Sequence, residues 1–357
     1  MFGASLRSLS LTQARPAPQA EQRKDVSQVS YGACEAPAGH PRRSWSLTNV
    51  RLLAACLLLA PSALAQEPFL RLSDGRPDIE GRWTMRTLTP FSRPSGVSQL
   101  TIPAAEEAAM IALIMQQRLA AERFDPGTSD PDGDSLARVD GELRTSAIVS
   151  PADGQVALTP AGQARLALRP DGYDGPEARP VNERCIADAG RAPYRVMSGE
   201  MFFQIIQTPA HLVIHKEGMD PPRIFHLADR GQTGAVTPWW GQSSSRWEKD
   251  VFVIDTTGFR PDDVNRRISG PGAAGFPIEP DTRITEWIIP VSRDELLYRY
   301  RVEDADLFSE PLIAELPMLR TEKALYESAC HEGNISLANT LRGARVTEEA
   351  QGSHKGG

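Results

Sequence analysis

No stretch of 18 or more apolar residues occurs in the 357-residue chain, so no segment is long enough to cross a bilayer as a helix. No G-x-S-x-G, phosphate-loop or H-E-x-x-H motif occurs, so the commonest nucleophile, nucleotide and zinc-protease chemistries have no positive support. A surplus of basic charge is also missing. The formal net charge is -7, which argues against nucleic acid as a partner. Aromatics make up 6% of the residues, and there are six histidines and four cysteines. The remaining composition, 40% hydrophobic and 24% charged, is ordinary for a globular chain with enough length for a sizeable core.

These totals mix two kinds of sequence. Residues 1–46 have no sustained apolar period and read as a disordered segment or as sequence upstream of the true start. Residues 47–65 follow with Arg51, a short apolar run Leu52–Ala60, Pro61 and the small-residue site Ala63-Leu64-Ala65. That order is expected of a signal peptide cleaved near Ala65, which implies a periplasmic or secreted protein. Arg42-Arg43 leaves twin-arginine export open beside the general route. Removing residues 1–65 takes away seven basic and three acidic residues, and the net charge moves from -7 to -11. Cys34 and Cys56 leave with that segment, while Cys185 and Cys330 stay. In an oxidising compartment two cysteines suggest one disulfide, the alternative being two buried thiols.

The mature chain reads as one β-rich domain over residues 66–345, with a disordered tail at 346–357. Gly81-Arg82-Trp83 is similar to the opening strand of lipocalin-type barrels. Thr101-Ile102-Pro103, followed by Glu106 and Glu107, predicts a long helix reaching Phe124. Met110, Ile111, Ile114, Met115 and Leu119 form its apolar stripe. Asp130, Asp132 and Asp134 alternate as in a calcium loop, but Ser135 and Gly141 stand where its glycine and closing glutamate belong, so a solvated loop is expected. From Phe202 onward the pattern predicts a meander over 202–207, 212–216 and 223–228. Hairpins follow at 244–247 with 251–257, and at 283–291 with 295–303. Asn334 is expected to cap a short closing helix ending at Leu341. The resulting fold class is mainly β: an antiparallel calycin- or lipocalin-like barrel or a curved sandwich, with one long N-terminal and one short C-terminal helix.

Several blocks carry a resemblance. They are Glu183-Arg184-Cys185, Gln204 to Pro209, Trp240 to Glu248 running into Val253 to Phe259, and Tyr326 to Asn334. In this order, over residues 75–347, the chain resembles a family of exported bacterial proteins. The resemblance implies export and a common fold rather than a particular activity. Gln242, Ser244, Ser245 and Lys249 depart from that family's usual Asp, Arg, Gly and Gly, and Glu286-Trp287-Ile288-Ile289 replaces an aromatic-basic strand.

Strand parity supplies the candidate site residues. Glu286 alternates with Ile284 and Ile288, so it is expected on an apolar face where a carboxyl suits acid–base work, unless an arginine pairs with it. Asp255 alternates with Val251 and Val253, and His215 with Val213. These three are the candidate catalytic residues. His226, on the strand next to His215, with Arg246, Trp247, His331 and Glu332, are candidate ligand-binding residues. No metal and no cofactor are expected. The leading expectation is an exported barrel carrying out acid–base chemistry, as a lyase, isomerase or hydrolase of a small apolar or amphipathic metabolite. The alternatives are a non-catalytic carrier of such a ligand and an envelope assembly protein. Oligomeric state stays open.

Overall fold

The computed structural model describes residues 69–120, 135–167, 173–179, 183–186, 192–194, 202–218, 221–227, 240–259, 276–327 and 329–354. The chain divides into Met1–Leu64 and Ala65–Gly357, and the first unit lies outside the described residues. So do the expected signal peptide and the acidic loop carrying Asp130, Asp132 and Asp134.

The second unit is mainly β. Its strands are β1 (Gly81–Thr84), β2 (Thr101–Ile102), β3 (Arg138–Val139), β4 (Glu142–Arg144), β5 (Ile148–Ser150), β6 (Phe202–Gln207), β7 (His211–Lys216) and β8 (Arg223–His226). They continue with β9 (Gln242–Glu248), β10 (Val251–Thr257), β11 (Arg283–Ser292), β12 (Glu295–Glu303) and β13 (Leu312–Arg320). Ten strands form one antiparallel sheet in the order β8-β7-β6-β1-β13-β12-β11-β10-β9, with β5 also on β13. The sheet curls until its ends, β8 and β9, approach one another, and the barrel is nearly closed. Closure buries one side of most of these strands. Phe203, Ile205, Leu212, Ile254, Ile284, Tyr300, Val302, Leu312 and Leu316 are all fully buried in a single core. Trp83 joins them, its indole N–H donating to the Ile79 carbonyl at 3.1 Å while Arg320 lies 4.3 Å over the ring.

Strand β13 carries Pro317, a residue normally excluded from central strands because it has no N–H to donate. The pairing shows why it is accommodated. The Glu315 N–H points to the Ala147 carbonyl at 2.9 Å, on the side of β5 and β1, so Pro317 two residues on faces the same side. There β5 pairs only Ile313 and Ala314, and β1 pairs only Leu319 and Arg320. Pro317 sits in the gap between them, where no ladder bond is lost.

The helices differ from expectation. The long N-terminal helix expected from Thr101 is not supported; the helix described there is the shorter α1 (Glu107–Ala120), of 14 residues. Thr101 and Ile102 are instead strand, paired with Arg144 and Leu143 in the small sheet β2-β4-β3. Ile102 and Leu143 join Leu88, Leu136 and Ile114 in a second apolar cluster, so burial outweighs the capping signal at Thr101. Helix α2 (Pro160–Ala167) forms within a Pro-, Gly- and Asp-rich stretch whose composition predicts irregular structure. The closing helix α3 (Ser336–His354) is the longest among the described residues, running 19 residues rather than stopping at Leu341, and it extends into the stretch expected to be a tail from 346. Its Ala-, Arg- and Glu-containing second half has no proline to end it.

Candidate functional site

Glu286 lies inside the barrel and is 0% exposed. Its register partners Ile254 and Tyr300 share that face and are equally buried. Arg223, on the far side of the interior at the edge strand β8, reaches across with both terminal nitrogens: Nη1 donates to Oε1 at 2.8 Å and Nη2 to Oε2 at 2.6 Å. The Tyr298 hydroxyl donates to Oε1 at 2.6 Å and accepts the Tyr194 backbone N–H at 2.9 Å. Tyr194 and Phe225 present their rings 5.0 and 5.1 Å from the Arg223 guanidinium. Burial alone would lower the Arg223 pKa, but the facing Glu286 carboxylate more than reverses this and raises it. Burial, reinforced by Glu286, pushes the Tyr298 hydroxyl well above the usual phenol range, so it stays a donor. The cluster is a bidentate, charge-assisted ion pair with a tyrosine hydrogen bond added. Oε1 accepts two of these bonds and Oε2 one.

The other catalytic candidates are not brought to Glu286. On β7, Leu212 and Ile214 point inward, which turns His211, Val213 and His215 outward. His215 lies opposite Gln204 on that outer face. Asp255 is also on the outer face, accepting from Thr285 Oγ1 at 2.8 Å and from Arg246 Nη1 at 2.5 Å. His226 is outward and exposed, and its ring stands 4.8 Å from that of His211. Among the described residues no group of three or more His, Cys, Asp or Glu side chains is arranged to hold a metal ion.

Arg246 and Trp247 part company because neighbours on a strand face opposite ways. Arg246 lies outside, bonded to Asp255 and to Glu248, the latter at 2.7 Å from Nε. Trp247 turns inward and packs 5.2 Å from Phe252, which is itself 5.7 Å from Phe225 of β8. These three rings span the seam between the two ends of the sheet. Ser243 and Ser245 share the inner face of β9, since they pair with the buried Thr256 and Ile254. Ser243 hydrogen-bonds Thr256 at 2.8 Å. Ser245 Oγ and Trp247 Nε1 are buried and have no protein hydrogen-bond partner.

Cys185 and Cys330 form a disulfide across 145 residues. Asn334, the expected helix cap, instead donates to the Glu183 carbonyl at 3.2 Å and contacts Cys185 Sγ at 3.0 Å, fixing the corner around the bridge. His331 and Glu332 occupy the exposed turn beside it and do not line the adjacent cleft bounded by Arg179, Glu183, Asn334 and Leu337.

Sequence reasoning missed Arg223 and Tyr298. Tyr298 alternates with Leu296 and Tyr300 on β12, and Arg223 with Phe225 on β8, so both carried an inward signal of the kind that singled out Glu286. No helix among the described residues is long and apolar enough to cross a membrane. No family model, no curated protein and no solved structure matches this chain.

Proposed function

We propose that the protein is an exported β-barrel protein that binds a small apolar or amphipathic molecule inside the barrel and releases it unchanged. One observation carries this reading: Ser245 Oγ and Trp247 Nε1 face the interior, buried and without a protein partner, at the seam where β9 meets β8. A buried donor left unmatched costs about 1–3 kcal/mol, a cost that a ligand acceptor removes. Around them Phe225, Phe252 and Ile254 offer an apolar wall, and the neighbouring Arg223–Glu286 pair neutralises its own charge. A ligand that is mostly apolar, with an oxygen acceptor at one end, suits that lining.

The expected acid–base chemistry has less support. Glu286 already accepts three hydrogen bonds, two from Arg223 and one from Tyr298, and is fully buried among them, which limits a substrate's access to its remaining lone pair. His215 and Asp255 lie on the opposite face of the sheet. The disulfide supports the proposed periplasmic or secreted location, since such bridges persist in oxidising compartments.

Native mass spectrometry of the protein purified from its own cells is the test. A co-purifying small molecule is expected on the wild type, with occupancy falling in a Trp247→Phe, Ser245→Ala double variant that still folds. Equal occupancy in the two would remove the seam from the binding reading.

A further inference from the structure

The outer face of the barrel carries a separate cleft of about 410 Å³ across β9 to β13, lined by Glu248, Val251, Trp287, Ile289, Arg299, Arg301 and Ile313. Its volume falls within the roughly 300–1,000 Å³ of small-ligand sites. The register explains its composition. Outward residues Val253, Trp287 and Arg299 stand side by side on β10, β11 and β12, and Thr285, Arg301 and Ile313 form the next row. The half-exposed Trp287 ring thus lies in an apolar strip with Val251, Ile289 and Ile313, between polar groups at both ends.

Those polar groups are held and neutralised in place. Arg299 Nε donates to Glu315 Oε1 at 2.8 Å, and Glu315 also takes Arg144 at 3.2 Å. Arg301 pairs with Glu303 at 2.6 Å, and Arg246 with both Glu248 and Asp255. Each arginine keeps further N–H donors after these bonds, and each carboxylate keeps lone pairs. Arg301 Nε in particular is buried without a hydrogen-bond partner. The cleft therefore offers a flat aromatic platform, an apolar strip, and a rim of fixed, planar, charge-balanced hydrogen-bonding groups.

We infer that this cleft binds a neutral saccharide. A pyranose ring has one face of C–H groups and an equator of hydroxyls that both donate and accept. The C–H face matches Trp287 and its aliphatic neighbours, and the hydroxyls match guanidinium donors alternating with carboxylate acceptors. The charge balance disfavours an anion, since each cation already faces a carboxylate and Glu248 stands in the lining. An all-apolar ligand would leave the rim groups covered and unmatched. The inference is independent of the interior site, because the cleft lies on the other face of the sheet.

The test uses the mature protein with its disulfide intact. It is screened on an array of neutral and acidic glycans, followed by tryptophan-fluorescence titration with maltose, cellobiose, chitobiose and digalacturonate. At least one neutral glycan is expected to bind and to change the fluorescence. Trp287→Ala should weaken binding about tenfold or more, and Trp287→Phe by less, in keeping with the loss of a stacking ring. Arg301→Gln, on a half-exposed rim, guards against a misfolded Trp287 variant and should weaken the same glycan several-fold. Binding of acidic glycans alone, binding unaffected by both the Trp287→Ala and Arg301→Gln changes, or no binding to any neutral glycan on the array would overturn the inference.

Discussion

Glu286→Gln is the sharpest perturbation of the interior. The substitution keeps the side chain's volume and one acceptor but removes the carboxylate that two Arg223 nitrogens meet at 2.8 and 2.6 Å. Arg223 has a side chain only 13% exposed, and Glu286 is fully buried, so water cannot replace the lost partner without rearrangement. Breaking a buried ion pair on one side costs about 3–5 kcal/mol, because the remaining charge is left uncompensated. With a urea m-value of about 3 kcal/mol/M, the unfolding midpoint should fall by roughly 1–1.7 M. Arg223→Met alone should cost a similar amount. The double variant Glu286→Leu, Arg223→Met should recover most of the loss, since an apolar pair of similar volume is often neutral or stabilising in such a place. Urea unfolding followed by tryptophan fluorescence supplies all the legs. A single-variant loss under about 1 kcal/mol, or a double variant as unstable as the sum of the singles, would refute the buried-pair reasoning.

Three further outcomes follow from the same geometry. Tyr298 has its pKa raised above 10.0 by burial and Glu286, so the unfolded chain loses its proton first as pH rises. The stabilisation is complete below about pH 10 and disappears above it, so alkaline unfolding should be steeper in the wild type than in Tyr298→Phe, as pH-dependent melting would show. Replacing Cys185 and Cys330 by Ser opens a link spanning 145 residues and should cost about 4–5 kcal/mol in chemical denaturation, with the largest loss of amide protection around Glu183 and Asn334. Gly162→Ala on α2 would place a methyl 2.2 Å from the Leu307 carbonyl oxygen, and a loss of about 1–3 kcal/mol is expected from thermal melting.

Much of the barrel was legible because its hairpins are local. The β11–β12 hairpin turns within a few residues, and Ile284, Glu286 and Ile288 alternate against Thr285, Trp287 and Ile289 as a curled sheet requires. Strand β13 was not legible, since Pro317 forbids a central strand unless the neighbouring strands leave a gap beside it, and that gap depends on where β1 and β5 end. Parity also does not say which face is inside. On β7 both sets, Leu212 with Ile214 and Val213 with His215, contain apolar residues, and on β10 Val253 competes with Phe252 and Ile254. That ambiguous signal makes His215 and Asp255 inward candidates in the sequence, and the structure turns both outward. Glu286 escaped the ambiguity in location but not in role: its partner Arg223 is 63 residues away on the opposite end of the sheet, a contact that only closure creates. Arg246 and Trp247, both candidate ligand-binding residues in the sequence, are neighbours on one strand, and alternation sends one to each face.

The central claim is that the interior holds a ligand and does not transform it. The most direct measurement takes the molecule released from the purified protein, returns it to fresh wild-type protein in excess, and follows it by liquid chromatography with mass spectrometry while monitoring binding. The molecule is expected to rebind stoichiometrically and to be recovered unchanged after many exchange half-lives, with the same result for Glu286→Gln at a temperature where that variant is folded. A product accumulating with wild type, and not with Glu286→Gln, would contradict the account and restore Glu286 to a proton-transfer role.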